Sequence, residues 1–226
     1  MGATLENALL DLLRQNAPSG RTLMSVLRGH HLIEEAYTQP LAGVDKLSLE
    51  EHTTAVLGCY ENFFEGHEAL ALSNGHFKLL LSLHDLGKPR AVAERQFDKQ
   101  HDYTCRLIDA LCNDTALPRL VISKIKTIIS GDPIGLCLNK KSHVSVEQSR
   151  RVVAEMAEKL GITMRECWST ILVYYQCDVS GYGSLRRKVF LSDSLGRQIY
   201  SMEKRRFLFR DPEEAERFEA LGGAVR

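Results

Sequence analysis

The chain has 226 residues, 44% of them apolar, enough for one sizeable core, and its 29 basic and 29 acidic residues cancel to a formal net charge of zero. That balance removes any global field for drawing in nucleic acid or an anionic membrane, so an anionic ligand has to be held by local groups. No apolar run approaches the roughly eighteen residues of a membrane helix, and the opening MGATLENALLDLL, with Glu6, fits neither a secretory nor a myristoylation signal.

In chain order, Leu5, Leu9, Leu12 and Leu13 fall on one face of a first helix, which APSG at 17–20 breaks. A second helical stretch is predicted over about 21–36, ending near Pro40. Ser48 and Glu51 form an S-x-x-E capping box that opens a helix through about Phe64, with His52 in its first turn. The next helix, GHFKLLLSLHDLGK, is read as closing on Gly87 and Pro89. Asp98 is read as the N-cap of a helix carrying His101, Leu107, Ile108 and Leu111. Pro118 begins another, which halts at SGDPIG.

Helices over about 145–160 and 164–178 follow, the second announced by a Thr163–Glu166 box. Then the texture changes. KVFLSDSLGRQIYSM has two alternating segments around Ser194, Leu195 and Gly196, a hairpin pattern. DPEEAERFEALGG reads as a short helix with Asp211 as cap and Pro212 at its first position. The expected architecture is all-α: N-terminal helices over 1–44, a helical domain over 45–184, and a small mixed appendage over 185–226 that fits a lid or the dimer surface of a homo-oligomer.

His52, His84, Asp85 and Asp178 stand at or near helix ends or first turns, and nitrogen and carboxylate donors from three helices suit a divalent transition metal. For each there is a plainer reading: a surface histidine in a first turn, a histidine favoured at a helix C-terminus, a turn-forming aspartate. Asp85 weighs against the plain reading of its pair, because an acid is unfavourable at a helix C-terminus. His101 is otherwise a solvated first-turn residue and Lys88 a partner of the helix dipole. Trp168, Tyr174 and Tyr175 lie on the helix of Asp178, where helical spacing favours core over base stacking. Lys140 and Lys141, Arg186 to Lys188, and Lys204 to Arg206 are solvated charge unless one cluster faces the site. Cys59, Cys105, Cys112, Cys137, Cys167 and Cys177 show no CxxC pair, which argues against a zinc ribbon and for reduced thiols. Cytoplasm is the expected setting, though a protein delivered into another cell's cytosol would look the same.

SLEEHTTAV, LSLHDLGKP thirty-two residues later and YYQCDVSG further on together resemble the H…HD…D signature of the HD superfamily of metal-dependent phosphohydrolases, over about residues 45–182. The resemblance implies an HD-domain helical bundle in which His52, His84, Asp85 and Asp178 bind one divalent ion (Mn, Mg, Ni, Co, Zn or Fe). It implies catalytic roles for Asp85, Lys88 and His101, with Lys88 and His101 also meeting substrate. FDKQHDYTCRLIDAL resembles the stretch where many members carry a further histidine, which here is His101. Where binuclear members carry a histidine pair the chain reads TIISGDPIG, so one metal is expected, with Asp132 an oxygen ligand, a ribose contact or part of a turn. The implied substrate is a small phosphorylated molecule such as a nucleotide, with neither membrane nor nucleic acid as partner. The alternative is a non-catalytic, regulatory nucleotide-binding module. An oxygenase on the same scaffold would need more histidines near position 130.

Overall fold

A computed structural model describes residues 2–15, 18–41, 47–66, 70–138, 144–182, 200–201, 206–207 and 212–223. They are nearly all helical and form two compact units, one of residues 1–66 and 72–130 and one of residues 67–71 and 131–226. No helix among the described residues is long and apolar enough to cross a membrane.

The first unit begins with α1 (Gly2–Arg14), whose Leu9, Leu12 and Leu13 are buried as the leucine spacing requires. The stretch predicted as one helix over 21–36 is two, α2 (Gly20–Leu27) and α3 (His31–Thr38), separated by a turn at Arg28–His30. Arg28 straps that turn down: its guanidinium donates to Glu34 at 2.8 Å and reaches Glu50 of the following helix. The hydrogen bond to Glu34, foremost among its causes, raises the Arg28 pKa above its ordinary value.

α4 (Leu49–Phe63) starts where the capping box predicts. Glu51 N–H donates to Ser48 Oγ at 3.1 Å, and Ser48 N–H donates to Glu51 Oε2 at 2.7 Å. A short antiparallel bridge pins this start, with Leu49 N–H donating to Gln39 O at 3.0 Å and Leu41 N–H to Leu47 O at 2.7 Å. The first turn of α4, which carries His52, is therefore fixed by its own cap and by a second strand of chain.

α5 (Asn74–Leu83) is capped by Ser73, packs on α4, and stops one residue before His84. Residues 84–87 form a turn, and Pro89, expected to end the α5 helix, instead opens α6 (Lys88–Ala93), where a ring without an N–H suits a first turn. The reading of Asp98 as an N-cap is also corrected. Phe97–Lys99 is a 3-10 turn, and α7 (Gln100–Asp114) follows it with Lys99 at the cap position and no side-chain cap. α8 (Arg119–Gly131) completes this part of the chain.

In the second unit, SGDPIG is more than a stop. Asp132 turns the chain with φ of 32°, a region Asp tolerates better than most residues, and its Oδ1 accepts the Gly135 N–H at 3.0 Å. It thereby caps α9 (Pro133–Leu138). α10 (Val146–Leu160) opens on a Ser145–Gln148 capping box and closes on Gly161 with φ of 67°, the left-handed cap for which glycine is suited. α11 (Met164–Ser180) opens on the predicted Thr163–Glu166 box. Tyr200–Ser201 (β1) pairs antiparallel with Arg206–Phe207 (β2), and α12 (Pro212–Gly223) packs on α9 and α10. Arg217 fastens α12, donating to Cys137 O at 2.8 Å and Val144 O at 2.7 Å, while Phe218 packs against Trp168. The predicted hairpin turn at Ser194–Gly196, the Asp211 cap and the basic clusters at Lys140–Lys141 and Arg186–Lys188 lie outside the described residues, as do Lys204 and Arg205.

Candidate metal centre

His52 and His84 arrive from adjoining helices. α4 presents His52 from its capped first turn, while His84 occupies the C-cap of α5 and Asp85 the next position in the turn. All three are buried. His52 Nε2 lies 3.2 Å from His84 Nε2 and 3.4 Å from Asp85 Oδ2, and His84 Nε2 lies 3.7 Å from the same oxygen. Ligand atoms about 2.1 Å from a single cation stand roughly 3.0–3.4 Å apart at the angles of octahedral or tetrahedral coordination. The observed triangle is close to that size.

The orientation of His84 follows from chemistry. Its Nδ1 is 2.7 Å from Leu81 O, and because a carbonyl can only accept, Nδ1 carries the proton. In the neutral ring Nε2 then keeps its lone pair and directs it at His52 and Asp85. This is the arrangement by which metal-binding histidines are generally held, with the far ring nitrogen donating to a carbonyl or carboxylate. With His52 in the tautomer that leaves Nε2 bare, three electron-pair donors converge in a buried place, and two nitrogens with one oxygen suit a divalent transition ion. His52, His84 and Asp85 thus fit a metal ion.

Asp85 is held at both oxygens. Lys88 Nζ donates to Oδ2 at 2.8 Å and Gln100 Nε2 donates to Oδ1 at 2.9 Å. Behind it, Thr104 Oγ1 accepts the Gly87 N–H at 2.9 Å and lies 3.4 Å from His84 O. Gly87 is required here by space rather than by backbone angle. A Cβ would stand 2.6 Å from Gln100 O and from Tyr103 Cβ, and closer still to Thr104 N. α7 can lie directly over the HDLGK turn only because that residue has no side chain. Sequence reasoning missed Gln100 and Thr104, since neither residue type signals a site without the packing that brings α7 there.

The other expected site residues are placed as follows. Lys88 is half-buried beside Asp85, and His101 is half-buried in the first turn of α7, one residue beyond Gln100. Asp178 is half-buried in the last turn of α11 in the second unit, and Asp132 caps α9 in that unit. Tyr175 on α11 has its hydroxyl pKa raised, mainly by burial and further by the carboxylates of Asp132, Asp178 and Glu214. Trp168 is core, as its spacing suggests. All six cysteines are free thiols. Burial pushes the Cys167 thiol up to about 11, so it is an unreactive core residue.

No protein-family model matches the chain, and no curated protein and no solved structure matches it.

Proposed function

We propose that the protein is a metal-dependent phosphohydrolase of HD type, acting on a small phosphorylated molecule, a nucleotide or related phosphoester. The observation that carries this reading is the buried triangle of His52 Nε2, His84 Nε2 and Asp85 Oδ2, with His84 locked by Leu81 O in the tautomer that offers its lone pair. In the proposal these three hold one divalent ion. The mixed nitrogen and oxygen donors favour Mn, Fe, Co, Ni or Zn over Mg.

Such an ion, when bound, lowers the pKa of water from about 15.7 toward about 7 and offsets charge on phosphoryl oxygens. The chain's own groups do the rest. Asp85 accepts the proton of the attacking water, help worth roughly 10²–10⁴ in rate. The water oxygen bonds to phosphorus as the bond from phosphorus to the leaving oxygen breaks. Lys88 and His101 stabilise the charge that gathers on the phosphoryl oxygens.

The test is metal analysis of the purified chain and a panel of nucleotides, phosphomonoesters and phosphodiesters, assayed with Mn, Mg, Ni, Co, Zn and Fe, on the natural chain and on Asp85→Ala. Hydrolysis with at least one metal, lost in Asp85→Ala, is expected. A chain that takes up no metal and hydrolyses nothing on the panel would sink the proposal.

A further inference from the structure

The carboxylate of Asp85 has two oxygens, and a carboxylate beside a cation can bind through one or through both. Its Oδ2 is the oxygen that faces His52 and His84. Its Oδ1 accepts the Gln100 amide at 2.9 Å. The reach of Gln100 is set by backbone packing: Gln100 O would lie 2.6 Å from a Cβ on Gly87, and Thr104 Oγ1 accepts the Gly87 N–H at 2.9 Å. The first turn of α7 is thus docked onto the turn that carries His84 and Asp85, and the amide arrives at Oδ1 from a fixed base.

We infer that Gln100 is a positioning residue that makes Asp85 a one-oxygen metal ligand, an inference that rests on reading the cluster as a metal centre. By engaging Oδ1 it holds the plane of the carboxylate with Oδ2 toward the histidines. A neutral amide suits this task, because it orients the carboxylate without adding positive charge beside the cation. Lys88 serves differently. Its ammonium bonds Oδ2, the same oxygen that faces the histidines, so it supplies charge but does not fix which oxygen is presented.

The experiment is a cobalt(II) titration of the 226-residue chain, read both as affinity and as the visible ligand-field spectrum, on the natural chain, Gln100→Met and Lys88→Met. Circular dichroism checks the fold, and Gln100→Ala is read in the same way should Gln100→Met not fold. The expected result for the Gln100 variant is a loss of about 10–100-fold in affinity. Its ligand-field bands should also weaken, as Asp85 swings to bind through both oxygens and the coordination number rises, while Lys88→Met keeps the natural spectrum. A Gln100 variant with natural affinity and spectrum, or with lower affinity and an unchanged spectrum, overturns the positioning role. A natural chain that binds no cobalt instead overturns the metal reading on which the role depends.

Discussion

The two ends of the α4–α5 pair solve the same problem in opposite ways. At one end the buried ammonium of Lys78, only 1% exposed, is met by Glu65 at 2.7 Å, Glu61 at 3.0 Å and Pro18 O at 2.6 Å. Glu61 also accepts the Gly20 N–H at 2.7 Å, which ties the start of α2 into the same knot. Cation and anions are both supplied by the chain. At the other end His52 Nε2, His84 Nε2 and Asp85 Oδ2 converge, and the ammonium of Lys88 donates to the carboxylate. A buried polar group that finds its complement within the protein serves the fold, whereas a buried convergence of nitrogen and carboxylate ligand atoms could hold an ion.

Substitutions at each end should separate the two. The largest effect is expected for His84→Ala, which should weaken metal binding by more than the roughly 100-fold upper range of changes to residues that merely support a ligand. It should leave the urea midpoint near that of the natural metal-free chain, and isothermal titration with Zn or Co alongside urea unfolding reads both. Lys78→Met should show the reverse. Leaving Glu61 and Glu65 without their buried cation should cost about 3 kcal/mol, the lower end for a broken buried pair because both glutamates touch solvent. Metal affinity should hold within a few-fold, and a large affinity loss there would mean that the two ends are not independent.

Smaller effects belong to the cap that steadies His52. Ser48→Ala should lower stability by about 1 kcal/mol in urea unfolding. It should also weaken metal binding modestly, since the first turn of α4 would fray. The same cap has a pH signature. Hydrogen bonds from the Ser48 backbone and hydroxyl hold the Glu51 carboxyl below its ordinary value of 4.5. Its contribution is therefore complete above that value and is lost as pH falls through the lower folded value. Glu51→Gln keeps the box, as Gln148 does for α10, so thermal melts should show a shallower decline in acid than the natural chain. An identical decline would remove Glu51 from the account of acid stability.

What could be read from the sequence was what is local. The Ser48–Glu51 and Thr163–Glu166 boxes are contained within four residues each, and both helices begin where the boxes place them. His52, His84 and Asp85 were legible because nitrogen and carboxylate donors stand near helix ends there, in an order that resembles the H…HD…D signature. The break between α2 and α3 was not, because the strap that makes it compact joins Arg28 to Glu50 across twenty-two residues. Gln100 escaped notice for a related reason. Its role exists only because Gly87 lets α7 lie on the HDLGK turn, and no spacing rule encodes that approach. Asp98 was a reasonable cap by residue type, but the 3-10 turn at Phe97–Lys99 moves the start of α7 beyond it. Lys78 reads as a polar interruption of an apolar helix until Glu61 and Glu65 are seen around it.

The claim that one end of the α4–α5 pair is built for a cation is tested most directly by metal stoichiometry. The 226-residue chain is stripped with chelator, titrated with zinc or cobalt, and followed by calorimetry beside His84→Ala. The account predicts one saturable equivalent in the natural chain and none at the same concentrations in the variant. Binding that is absent in both, or equal in both, would contradict it.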